Sequence, residues 1–185
     1  MSLRLPVVEQ QINLYSRQIL LKDVGGIGQE KLLDSPVEVR GSSAAIGIAI
    51  TYLAAGGTPC NAAHPAAYLT ELPGELPITL EERSMPWVGM GKFQGEPLVA
   101  FKATDACYGC FQAFAEQVSP FASTDPGAEP AVERAVWVGA FTAWVIQKII
   151  LGHLTGGGAF RLLGDGQIRS RERPQCHSFP HCLTT

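Results

Sequence analysis

The sequence is short of charge, and the charge it has carries no strong sign. Asp, Glu, Lys and Arg make up 17% of 185 residues, and the formal net charge is −3. That balance gives no footing for a nucleic-acid partner or for an anionic membrane. Long apolar runs are missing as well. None approaches the roughly 18 uninterrupted residues of a membrane span, because Gly, Lys, Gln or His breaks each one. The N-terminus, MSLRLPVVEQQ, lacks a signal-peptide apolar core, which predicts a cytoplasmic chain. Five cysteines in such a chain read as thiols or metal ligands rather than disulfides. Internal repeats and low-complexity tracts are absent, and the 46% apolar content suffices for one domain with a proper core.

What is present centres on residues 37–57, VEVRGSSAAIGIAITYLAAGG. A β-branched run (Val37, Val39) meets a small-residue turn from Gly41 to Ala45, and an apolar run from Ile46 to Ala55 ends on Gly56-Gly57. Strand, tight turn and helix in that order open a dinucleotide-type α/β fold. Ahead of it, Val7, Val8, Ile12, Tyr15, Ile19 and Leu20 predict an amphipathic helix over 7–22, broken at Gly25-Gly26. A second short helix is expected over 29–33, stopped by Asp34-Ser35-Pro36. Residues 58–86 hold five prolines among short apolar pieces; 62–69 reads as a short strand or helix and 76–80 as a short strand. Strands are predicted at 88–93 and 97–102, around Gly95. Phe111, Phe114 and Val118 stand at helical spacing, 119–130 reads as a loop, and 132–154 is the longest apolar helix. A hairpin over 160–163 and 167–171 closes the series, turning at Gly164-Asp165-Gly166. Trp87, Trp137 and Trp144 read as core or interface aromatics, the last two on one helix face.

Several of these segments resemble one family. Tyr15-Ser16-Arg17-Gln18-Ile19-Leu20-Leu21, Gly28-Gln29, Lys31-Leu32, Val37-x-Val39-x-Gly41 and Tyr52-Leu53-Ala54-Ala55 are similar to the N-terminus of the ThiF/MoeB/HesA family, relatives of ubiquitin-activating enzymes. The match runs without a gap from Tyr15 to Gly57. It resumes at Gly95–Phe101, at Cys107-Tyr108-x-Cys110, in the helix 132–154 and at Pro174-x-Cys176, covering roughly two-thirds of the chain. The resemblance implies a shortened doubly wound, Rossmann-like α/β domain whose mixed sheet leans parallel. One domain, 1–185, is expected: a helical segment 1–36, the strand–turn–helix 37–57, a truncated crossover 58–86, and a C-terminal half 87–185. It further implies a homodimer, a structural zinc, and ATP-dependent adenylation of the C-terminal glycine of a ubiquitin-like sulfur-carrier protein.

The parts that adenylation needs are thin. The family's G-x-G-G-x-G turn, aligned without a gap, falls on Gly41, Ser43, Ala44 and Ile46. Only the first glycine survives, and a branched Ile stands where a helix must approach a phosphate closely. Gly41, Ser42 and Ser43 remain as a vestigial nucleotide turn. Arg17 joins them because the arginine of the family's S-R-Q motif reaches the neighbouring subunit's nucleotide; its other reading is an interface cap or ion pair. Between Gly57 and Gly89 there are only about 30 residues, whereas a βαβ unit takes ~30 or more. The acids there are Glu71, Glu75, Glu81 and Glu82, the one Arg is Arg83, and no Lys lies between Lys31 and Lys92. Phosphoryl chemistry uses cationic clamps and a metal, so no catalytic residue is named and ATP/Mg is doubtful. The expected function is a non-catalytic, zinc-stabilised dimeric scaffold. It would dock a ubiquitin-like sulfur-carrier protein or an active paralogue. A minimal adenylyltransferase and a thiol redox module stand as alternatives.

Cys107-x2-Cys110 is a knuckle of the kind that zinc uses, and Cys176 with Cys182 forms a second pair at the family's position. The second pair is spaced C-x5-C, so the fourth ligand is Cys182, His181 or His177. Four protein ligands leave no open coordination position, so such a zinc is structural. Cys60 reads as a buried or incidental thiol, and His64 and His153 lack metal-spaced partners. Elemental analysis of the purified chain is expected to find one zinc per polypeptide, lost together with the thiols' protection from alkylation when a chelator is added. A metal-free protein with a reversibly oxidised Cys107/Cys110 pair is the contrary result.

Overall fold

The structure, a computed structural model, describes residues 9–74, 79–104, 106–120, 132–163 and 167–171. Helix α1 spans Glu9–Ile19 and α2 spans Gly25–Leu33. Strand β1 (Val37–Arg40), helix α3 (Ala44–Ala55), strand β2 (Ala67–Glu71), the single-turn helix α4 (Leu80–Ser84) and strand β3 (Trp87–Phe93) follow. Then come β4 (Glu96–Lys102), α5 (Tyr108–Ala115), α6 (Val132–Leu151), β5 (Gly157–Leu162) and β6 (Ile168–Arg171). The strands form one six-stranded sheet.

Helices cover both faces of that sheet, as the Rossmann-like expectation requires. Two features depart from it. The strands lie in chain order from β1 to β6, without the reversal of winding that defines a doubly wound sheet. Only β1–β2 and β2–β3 are parallel, and the pairs from β3 to β6 are antiparallel, so the sheet does not lean parallel. Connection length explains part of this. Parallel neighbours need a crossover of about a dozen residues or more, which the chain supplies on either side of β2, whereas β3–β4 and β5–β6 are joined by short links. The long connection from β4 to β5 carries α5 and α6 and nevertheless returns antiparallel. The crossover 58–86 is also roomier than expected, since a helix of one turn lets Ala67–Phe93 close a complete βαβ unit.

Alternation along the strands sorts the core into two layers. Val37, Leu69, Val88, Met90, Val99 and Phe101 face α3 and α6, while Tyr68, Trp87, Leu98 and Ala100 face α5. This is the period-two pattern of strands buried on both faces. α3 and α6 pack so closely that a Cβ on Gly139 would lie 2.5 Å from the Ala45 carbonyl oxygen and 2.9 Å from Ile48. α6 is apolar and long enough to cross a membrane by composition, but half of it is buried inside this fold. It ends at Leu151, before Gly152 at φ +81°, three residues short of the expected end at Leu154.

Other boundaries shift for local reasons. Gly25-Gly26 does not terminate a helix but starts α2, four residues before its expected first residue. Leu80, expected to end a strand, begins α4, because Thr79 and Glu82 form a reciprocal capping box. β1 is the edge of the sheet, and its exposed side is closed by the next loop. Val37 N–H donates to the Pro59 carbonyl, Asn61 N–H donates to the Val37 carbonyl, and Val39 N–H donates to Asn61 Oδ1 at 3.1 Å. An edge paired in this way offers little to another strand.

Two glycines serve as controls on this packing. Gly139→Ala is expected to lower stability by about 1–3 kcal/mol, as overpacking does. Gly47→Ala lies in α3 with no atom within 4 Å of the new methyl and is expected to add up to about 1 kcal/mol through helix propensity. Thermal or denaturant unfolding reads both, and a neutral Gly139→Ala would contradict the described α3–α6 contact.

Candidate functional site

In a Rossmann-like sheet, ligands meet the carboxyl ends of the parallel strands. Here those ends carry Arg40, the last residue of β1, with Gly41 just after it, and Glu71 at the end of β2. The turn 41–43 begins at Gly41, whose φ of +130° is open to glycine and strained for other residues. Ser43 caps α3: its Oγ accepts the Ile46 N–H at 3.3 Å. Ile46 itself is 2% exposed and packed in the core, so the branched side chain expected to crowd a phosphate points into the interior.

The turn already holds an anion. The Glu71 carboxylate accepts the Ser42 N–H through Oε2 at 3.2 Å. It lies so close that a Cβ on Gly41 would stand 2.8 Å from Oε2 and 3.2 Å from Cδ. A side chain at residue 41 is therefore excluded by the carboxylate as well as by φ. An acid beside a helix N-terminus gains about 0.3–1 kcal/mol from the aligned peptide dipoles. A phosphate brought to about 4 Å of it would meet repulsion on the order of 4 kcal/mol at an effective dielectric constant of 20.

The cation beside this turn is committed as well. Arg40 Nη2 lies 2.7 Å from Glu82 Oε1 and 3.1 Å from Glu38 Oε1. Its guanidinium lies 4.9 Å from the Tyr68 ring centroid and 5.3 Å from that of Trp87, and these two rings stack at 4.4 Å and 7°. Burial opposes its charge, and the hydrogen bonds to Glu82 and Glu38 outweigh that, holding Arg40 above its ordinary range. Trp87 Nε1 donates to the Glu82 carbonyl at 2.8 Å. Lys102, 2% exposed, directs Nζ at the carbonyls of Met85 and Ala103, each at 3.2 Å. These side chains brace α4 against the sheet.

Arg17 stands elsewhere. The neighbouring Gln18 donates through Nε2 to the Ala55 carbonyl at 3.1 Å, at the C-terminal end of α3. Twelve helical residues, about 18 Å, separate that end from Gly41. Within one chain the structure thus brings together Gly41, Ser42 and Ser43 and leaves exposed Arg17 apart. Cys107 occupies the N-cap of α5 and Cys110 its first turn, both half-buried. Cys176, Cys182, His177 and His181 lie outside the described residues, and among the described residues no group of three metal-ligating side chains is found. Cys60 is half-buried against the core, and burial pushes its thiol up, which keeps it protonated and a poor nucleophile. His153 Nε2 lies 2.7 Å from the Asp23 carbonyl oxygen, a contact that holds the α1–α2 connection to the end of α6.

Glu71 and Arg40 were not recognisable as site residues from sequence. Glu71 is one of four acids in residues 58–86, and nothing in the spacing of those acids says which will turn back onto Gly41. The signal that marks it is tertiary, namely the parallel register that sets Arg40 beside Thr70.

No family model matches the chain, and no curated protein matches it. Solved structures do. The crystal structure of PaaA superposes with a TM-score of 0.58 at 14% identity, over 93% of this chain and 76% of that one. MccB of E. coli with succinimide follows at 0.57 and 12%, over 89% and 74%. A heterocyclase in complex with substrate and cofactor gives 0.54 and 14%, over 92% of this chain and only 28% of its own. These proteins share the ThiF/MoeB-like fold. At such identity the likeness is one of backbone architecture, and the fold of this chain is of that ThiF/MoeB-like, Rossmann-related kind.

Proposed function

We propose that this chain is a non-catalytic protein on the ThiF/MoeB-like fold, a binding scaffold in which an internal carboxylate takes the place of a nucleotide phosphate. The observation that carries the reading is the Glu71 carboxylate on the Ser42 N–H, inside the turn where that fold's nucleotide would enter. A second support is the engagement of Arg40 by Glu38 and Glu82, which leaves the turn without a free cation from that strand. One similar structure is of MccB with ATP, so the comparison bears on what this turn would otherwise bind.

The scaffold is taken to be a homodimer whose partner is a ubiquitin-like sulfur-carrier protein or an active paralogue. A structural zinc belongs to the same reading. Cys107 and Cys110, offered by the first turn of α5, suit two of its four positions, and Cys176 and Cys182 would supply the others. Such an ion would tie the C-terminal residues to α5 and take part in no reaction step.

The competing reading is a minimal adenylyltransferase, favoured by one fact: an acid at the end of the strand after the turn is also where a ribose or metal ligand would stand. Glu71 variants separate the two. By calorimetry the wild-type chain is expected to bind neither Mg·ATP nor inorganic phosphate, and Glu71→Gln is expected to gain at least tenfold in phosphate affinity, because the local repulsion is gone. Tight Mg·ATP binding by the wild type, lost in Glu71→Gln and accompanied by pyrophosphate exchange with a carrier protein, would overturn the proposal.

A further inference from the structure

The two outer strands of the sheet differ in how their free sides end. That of β1 is closed by the Cys60–Asn61 loop. β6 pairs with β5 alone, and among the described residues no strand lies beyond it. The antiparallel register fixes which backbone groups are left open. Leu163 N–H donates to the Gln167 carbonyl at 2.9 Å, and Arg161 stands opposite Arg169 two residues further along. Bonded and non-bonded pairs alternate along such a ladder, so the backbone of Arg169 and Arg171 turns toward β5. Ile168 and Ser170 turn their N–H and C=O outward, and no other described strand meets them. A short row of unmet donors and acceptors is what an added strand completes.

The residues on this edge add a sign. β6 reads Ile168-Arg169-Ser170-Arg171, two arginines and no acid. Arg161 is held by Glu96 and lies over the Phe93 ring, 5.7 Å from its centroid. Its cross-strand neighbour Arg169 is exposed and has no ion-pair partner among the described residues. The other face of the edge presents Ile168, 46% exposed, opposite buried Leu162. An incoming strand alternates with the same period of two. It is matched by acids at the register positions of Arg169 and Arg171, with an apolar residue between them on the Ile168 side.

A second copy does not match this edge. Two β6 strands joined antiparallel in their fullest register set Ile168 against Ser170, which places the two Arg169 residues directly opposite. Like charges in that position oppose pairing. Charge on an edge strand is itself a guard against further strands, but the guard discriminates by sign. Arginines that exclude another copy attract a strand that carries carboxylates.

We infer that the open edge of β6 takes up an extended acidic segment of a partner protein as an added strand, joined through the outward N–H and C=O groups of Ile168 and Ser170 and selected by Arg169. This rests on the scaffold reading and deepens it by naming the chemistry of the partner. β6 stands five strand spacings from β1, about 24 Å, so phosphate binding at the Gly41 turn and peptide binding at this edge succeed or fail separately.

The probes are the blocked pentapeptide Ac-Thr-Glu-Val-Glu-Thr-amide and its counterpart Ac-Thr-Lys-Val-Lys-Thr-amide, titrated into the ¹⁵N-labelled full chain. In the free chain the Ile168 and Ser170 amides are expected to exchange readily with water. Saturation with the acidic peptide should slow both at least tenfold and leave the Arg169 amide, already bonded to β5, nearly unchanged. The Kd is expected on the order of 1 mM. The lysine peptide should bind about fivefold more weakly, and Arg169→Glu, an exposed change, should reverse that order. Ser170→Pro removes one outward N–H and spares the β5 ladder, a position where an edge strand tolerates proline. It should weaken the acidic peptide about fivefold while the spectrum outside β6 stays that of the wild type. No shift with the acidic peptide would overturn the inference and leave the arginines as a guard alone. Equal binding of the two peptides, or binding unaffected by Ser170→Pro, would overturn it as well. So would amides of Ile168 and Ser170 already protected in the free chain, by its own residues if at every concentration and by a second copy if only as concentration rises.

Discussion

A turn at a helix N-terminus can accommodate one anion at close range, and here that position is taken by the chain itself. Glu71 reaches it because β2 lies parallel to β1 in a register that brings their carboxyl ends together. Gly41 permits it because residue 41 has no side chain and takes φ +130°. Once the carboxylate is seated on the Ser42 N–H, the electrostatics of the strand–turn–helix are satisfied internally. Neutralising the helix end no longer requires a ligand. The same seat opposes a phosphate at close range, which is the basis of the non-catalytic reading proposed above.

The position of β1 at the sheet edge has a comparable dual effect. With strands in chain order, no further strand lies beyond β1 among the described residues, and the Cys60–Asn61 loop closes the open edge. On the face opposite α3, Arg40 links β1 to α4 through Glu82 and to β2 and β3 through the stacked Tyr68 and Trp87. The cation at the strand end is thereby spent on structure. The connection between α3 and β3 is short, yet it closes a complete βαβ unit, and Arg40 is held by Glu38 and Glu82.

The opposite end of α3 is held by side-chain amides. Gln18 and Gln29 donate to the carbonyls of Ala55 and Gly56, capping the helix where its C-terminal carbonyls would otherwise lack partners. This use of each amide nitrogen leaves the amide oxygens of Gln18 and Gln29 buried without partners. Capping from two separate helices, α1 and α2, has gathered these amides at the C-terminal end of α3.

The elements with a strong local signal were legible in the sequence. β1, α3, the β3–β4 hairpin, α5, α6 and the terminal hairpin follow from hydrophobic period and glycine placement, because those are properties of neighbouring residues. The family resemblance likewise pointed to the fold that the structural comparisons support. Strand order, the antiparallel majority, the seat of Glu71, the commitment of Arg40 and the meeting of Gln18, Gln29 and Gln147 at one helix end depended on tertiary structure. Each joins residues from separate elements, and no spacing along the chain encodes which of several acids or amides will face which turn. The sequence by itself determined that a strand, a turn and a helix would form at 37–57 with an eroded phosphate cradle. Only the folded chain decided what fills that cradle, because an ion's neighbours are set by the packing of elements and not by their order.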